Sequence, residues 1–126
     1  MNTTTQEQKA VEKGNIFYTS WGYDQTNYDF MAVLSVSSSG KTAKCQMIHR
    51  LHMGTESQTN VQEPIFCPYG DVFTMRIKQG YRGDVVLRGS YPYCNNGSIA
   101  TGTRLDTFSA HKEGKQYHET MAEFGH

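Results

Sequence analysis

The chain has no surplus of charge of either sign, no long apolar run and few aliphatic side chains. Twelve basic residues balance twelve acidic ones in 126. It is therefore not composed like a dedicated nucleic-acid coat protein, whose domain is plainly basic. Its longest apolar run, residues 30–34, falls far short of the roughly 18 residues that a membrane-spanning helix needs. Residues 1–13 are polar and carry no apolar segment of the secretory kind. These absences predict a cytoplasmic chain, in the host cell's cytoplasm, with no membrane partner. The three cysteines, Cys45, Cys67 and Cys94, are odd in number and include no CxxC pair. That excludes a disulfide framework and a four-cysteine zinc site, and leaves three reduced, partly buried thiols as the expectation.

Leu, Ile, Val and Phe together account for 22 of the 126 residues, under the one-fifth level that marks many disordered chains. Disorder by composition normally pairs that poverty with a high net charge, and here the net charge is zero. Eight Tyr, six Phe, six Met and one Trp replace the missing aliphatic mass. A thin core of aromatic and Met side chains follows, in a fold that favours sheet over helix.

Residues 2–13 are the only stretch with helix formers in series, and Gly14 stops them. Residues 1–13 read as an arm or short helix, and residues 14–126 as one β domain. From Asn15 the pattern has period two. Ile16 and Tyr18 share a face of a first strand. Phe30, Ala32, Leu34 and Val36 share a face of a second, opposite Met31 and Val33. Ser38-Ser39-Gly40-Lys41 reads as a tight turn into a strand over residues 42–48. Residues 53–70, with Pro64 and Pro68 among Gly, Ser, Thr and Asn, read as a long surface connection. A second hairpin places Phe73, Met75 and Ile77 inward, turns over residues 79–83 and returns over 84–90. Two shorter strands are expected over 104–108 and 116–120. Six or seven short strands at this spacing predict a mainly β fold, a small antiparallel barrel or sandwich of SH3-like kind.

The window WGYDQTNYDF, residues 21–30, holds the only Trp with two Tyr, a Phe, two carboxylates, Gln and Asn. A strand connection this aromatic is either a structured turn that plugs the barrel or a recognition loop. The recognition reading assigns Trp21 and Tyr23 to stack on a base or sugar, and Asp24, Gln25 and Asn27 to bond its polar edges. Phosphate would be held by Arg76, Arg88 or Arg104. In this reading the protein is a homo-oligomer, because a second protomer completes a pocket in so small a domain.

The run GNIFYTSWGYDQTN from Gly14, followed by Asp29-Phe30, resembles small uncharacterised proteins of phages, plasmids and other mobile elements that share a pattern close to G-D-I-F-Y-S-S-W-G-Y-D-Q-T-N-x-D-F. Gly114-Lys115-Gln116-Tyr117-His118-Glu119-Thr120 and the final Gly125-His126 are similar to that group's ending. The chain departs with Asn15 in place of the usual acid, and with His111-Lys112-Glu113 in place of Trp-Asp. The resemblance covers about a quarter of the chain and implies a context, mobile-element cargo, rather than a mechanism.

Other constellations are weaker. Cys45, His49, His52 and Cys67 nominally offer zinc four ligands, but alternation separates His52 from the first two. His118 with Glu119 offers an acid and a base, and Cys94 or Ser109 a nucleophile, without any recognisable elbow. Gly80-Tyr81-Arg82-Gly83 matches no phosphate-loop pattern, and Arg82-Gly83-Asp84 is a chance adhesion tripeptide. No catalytic residue, metal or cofactor is assigned. Residues 30–55 contain no acid, and Lys44, Arg76, Lys78 and Arg88 are expected to form a basic face, read either as charge guarding strand edges or as a phosphate-binding surface. The preferred function is non-enzymatic, stoichiometric counter-defence: capture of a small nucleotide signal or of a host immune protein. The alternatives are a single-stranded nucleic-acid-binding barrel and a small hydrolase or transferase using His118 and Glu119.

Overall fold

The computed structural model describes residues 11–21, 27–56, 59–80, 82–93, 102–112 and 114–120. The chain folds into seven strands: β1 (Ile16–Trp21), β2 (Asn27–Val36), β3 (Thr42–Glu56), β4 (Thr59–Gln79), β5 (Val85–Tyr93), β6 (Gly102–Ala110) and β7 (Tyr117–Thr120). No helix occurs among the described residues, so none there is long and apolar enough to cross a membrane. Each of the first five strands pairs antiparallel with the next, and β6 returns to β1 through Phe17↔Ala110 and Tyr18↔Ser109. The result is a closed six-stranded barrel with β7 added on the first residues of β4.

Alternation along the strands fills the barrel. Phe17, Met31, Val33, Ala43, Cys45, Met47, Met75, Leu87, Tyr91 and Phe108 form one buried cluster, against which Phe73 and Ile77 pack. Met and aromatic side chains supply most of its volume, as the composition requires. At Gly89 the wall closes tightly, because a Cβ there would stand 3.0 Å from the Met75 sulfur. Gly40, at φ +75°, turns β2 into β3 in a conformation that favours glycine. Its N–H donates to the Ser37 carbonyl at 2.9 Å.

A second core lies outside the barrel wall. Phe30, Ala32 and Ile48 face away from the interior and are covered by Tyr117 of β7, with Ile16, Tyr18 and Tyr28 packed around them. Tyr117 sits edge-on to Phe30 at 4.9 Å and close to Tyr18 at 4.8 Å and Tyr28 at 4.9 Å.

Three expectations change. Residues 53–70 are not a surface connection: β3 and β4 run on as a long hairpin to Glu56 and Thr59. The prolines fit because the register slips between Cys45 and Met47 and again between Ile48 and Arg50, each time with two extra residues on β4. Bulges of this kind tolerate a missing ladder donor. On β2, Val33 pairs with Cys45 and Ser35 with Lys44, so Leu34 is a bulge. Val36 therefore packs against the inner cluster rather than sharing a face with Phe30 and Ala32. The expected N-terminal arm or short helix lies mostly on residues 1–10, outside the described residues. Residues 11–13 are not helical, and Val11 is buried in the inner cluster.

Candidate ligand-binding end of the barrel

The alternation that turns Phe17, Met31, Leu87 and Phe108 inward also turns five polar side chains into one end of the barrel. Thr19 and Asp29 are register partners on β1 and β2, each 6% exposed. Tyr91 of β5 is opposite Arg104 of β6, and Gly89 is opposite Asp106. The Tyr91 hydroxyl donates to Asp29 Oδ2 at 2.8 Å. Burial foremost, and then the Asp29 charge and that hydrogen bond, push the Tyr91 phenol well above its ordinary range, while the Arg104 guanidinium pulls the other way. Tyr91 thus stays a donor throughout the physiological range. One Asp106 oxygen accepts the Thr107 N–H at 2.8 Å.

This end is where β1 passes to β2 and β5 passes to β6. The last pairs there are Trp21↔Asn27 and Tyr93↔Gly102. Of the residues assigned to recognition, Trp21 and Asn27 therefore lie at the rim of the polar end. Tyr23, Asp24 and Gln25 lie outside the described residues. Arg104 belongs to the polar end, but Arg76 and Arg88 do not. They are register partners on the outer wall of β4 and β5, both exposed, so of the three alternative phosphate-holding arginines only Arg104 is placed at the polar end. Asp29, Tyr91, Asp106 and Thr19 were not singled out from the sequence. The usable signal was their phase: Asp29 alternates with Met31 and Val33, and Arg104 and Asp106 with Phe108.

The other sequence candidates have structural places. Cys45 is buried in the inner cluster, where loss of solvent pushes its thiol up to about 12; Cys67 is exposed. His49 stacks on Tyr69 at 4.2 Å. On β7, His118 is exposed while Glu119 is buried on the opposite face, so the two do not form an acid and base pair. Glu119 instead accepts the Tyr28 N–H at 2.8 Å and lies 3.5 Å from Arg50. Burial raises its carboxyl above the usual range, with Arg50 opposing. Arg50 also donates to the Tyr28 carbonyl. His111 Nδ1 bonds the Tyr117 hydroxyl at 2.8 Å, and Lys115 Nζ donates to the Tyr18 hydroxyl at 3.1 Å while lying over the Tyr18 and Tyr117 rings. Beside this group a cleft of about 440 Å³ is lined by Gly14, Ile16, Glu63, His111 and Lys115, among others.

The segments beginning at Gly14 and at Gly114 thus meet in space. They build the second core and the cleft beside it. Comparison with family models, with curated proteins and with solved structures returned no match.

Proposed function

We propose that the chain is a non-enzymatic binding protein that captures a small nucleotide at the polar end of the barrel, one ligand per site. The observation that carries this reading is the inward placement of Asp29, Arg104 and Asp106 in an otherwise apolar barrel. Taking charged groups out of water costs several kcal/mol apiece unless partners compensate, and small barrels bind ligands at their mouths. The group mixes donors and acceptors: the Arg104 fork suits a phosphate or carbonyl edge, and the two carboxylates suit amino groups. Trp21 ends β1 beside this group, and an aromatic ring there would supply the stacking surface that a base needs.

The resemblance to mobile-element proteins supports counter-defence as the setting of this capture, with a nucleotide signal of the host as the ligand. Neither the reading nor its context requires turnover, and His118 and Glu119 take no part in it.

Calorimetry with mononucleotides and with linear and cyclic dinucleotides tests the reading. At least one is expected to bind with saturable heat, and Arg104→Lys, which keeps the charge and loses the fork, is expected to weaken it about tenfold or more. No heat from any nucleotide at millimolar concentration, with the barrel folded, contradicts it.

A further inference from the structure

We infer that the outer wall formed by β3, β4 and β5 is a docking face for the sugar-phosphate backbone of a nucleic acid, separate from the polar end. Arg76 and Arg88 are direct register partners. Thr42 continues that row on β3, and Lys44 is paired with Thr74 in the next. Lys78 lies two residues along β4 on the same face. All four cations are exposed. By sheet geometry Arg76 is about 5 Å from Arg88 across the strands and about 7 Å from Lys78 along its own.

Like charges directly opposite each other in a sheet are destabilising, so the arrangement needs a reason. Edge protection is not that reason. Charge guards strands whose backbone is unpaired, but here β3 pairs with β2 and β4, β4 with β3 and β5, and β5 with β4 and β6. Internal neutralisation is not the reason either. The exposed or half-exposed outward positions in regular register on this face are Thr42, Lys44, Gln46, Thr74, Arg76, Lys78, Arg88 and Ser90, with no carboxylate among them; exposed Asp71 lies in the bulge opposite Gln46 and makes no ion pair among the described residues. Asp106 of β6 faces the interior, and Asp84 lies in the turn beyond Lys78. Among the described residues Lys44, Arg76, Lys78 and Arg88 make no ion pair, and Arg88 donates to Thr107 Oγ1 at 2.6 Å.

Four cations spread over three strands match a repeating anion better than a single small one, and a polyphosphate backbone is such an anion. Among the described residues the face carries no aromatic side chain, so these offer no platform for stacking bases. Binding is therefore electrostatic and independent of sequence, and it explains how a chain of zero net charge offers a local phosphate-binding surface.

Fluorescence anisotropy of a labelled 20-nucleotide single strand tests this between 50 and 200 mM salt. Four neutralised phosphates give a log–log slope of about −2.8, a loss of affinity of about fiftyfold over that range. Arg76→Glu creates an opposite-charge pair with Arg88, so it is expected to keep or raise the melting temperature while abolishing binding. Arg76→Gln, with the slope reduced by about 0.7, reads the same effect without charge reversal. Arg104→Lys is expected to leave oligonucleotide binding unchanged, which separates this face from the nucleotide site.

The inference is overturned by absence of oligonucleotide binding at 50 mM salt. It is also overturned by Arg76 variants that fold and bind like the parent. Displacement of the strand by inorganic phosphate, as effectively as by unlabelled strand at equal phosphate, would show a single-phosphate site and overturn the backbone reading.

Discussion

The two buried cores use different sequence logic. The inner one is assembled from strands adjacent in the chain, and its residues recur every second position from Phe17 to Phe108. The outer one joins segments about 90 residues apart, with Glu119 bonded to Tyr28 and Lys115 to Tyr18. Its materials are also different: mostly aromatic rings, edged by a cation, a histidine and a buried carboxylate, where the inner core is chiefly Met, Val and Phe. The difference also sorts the residues of the two segments that begin at Gly14 and at Gly114. Ile16, Tyr18 and Phe30 at the front, with Lys115, Tyr117 and Glu119 at the end, have structural work that accounts for them. Trp21 and Asn27 form the last pair of β1 with β2, at the polar end.

Truncation separates the two cores by size of effect. Phe108→Ala removes a fully buried ring that sits edge-on to Tyr91 at 4.9 Å, and is expected to cost about 3–5 kcal/mol. Tyr117→Phe keeps the outer ring and removes its bond to His111, which is expected to cost about 1 kcal/mol. Urea unfolding of the two variants measures both. Costs of equal size would mean that β7 is as integral to the barrel as β6.

The smallest effect concerns pH. Burial raises the Glu119 carboxyl in the folded state. The stabilisation due to its neutral form is therefore fully present below the unfolded value of about 4.3 and is lost as pH rises through the folded value. Glu119→Gln removes this dependence while keeping an acceptor for the Tyr28 N–H. The stability difference, variant minus parent, is expected to grow between pH 4 and pH 7. A difference that shrinks over that range would mean that Arg50 outweighs burial.

Period two made the barrel legible from Phe73, Met75 and Ile77, and from Met31 and Val33. It failed where a residue was inserted, because the bulge at Leu34 moves Val36 to the other face, and no local propensity marks that slip. Pro64 and Pro68 misled for a related reason: a proline rule written for regular ladders does not hold at bulges. At the site, the aromatic window was visible by composition and Arg104 by charge. Arg76 and Arg88 were grouped with Arg104 because sequence alone does not say which side of a wall an arginine occupies. Asp29 was overlooked as a carboxylate in a loop, when its phase with Met31 already turned it into the barrel.

Trp21 is the only tryptophan in the chain, so its emission reports on the rim of the polar end without labelling. Titration of the parent with the nucleotide that gives calorimetric heat is expected to change that emission saturably, at the calorimetric affinity, with Arg104→Lys shifting both midpoints together. Unchanged Trp21 emission during a titration that shows full calorimetric heat would place the ligand elsewhere and contradict capture at the polar end.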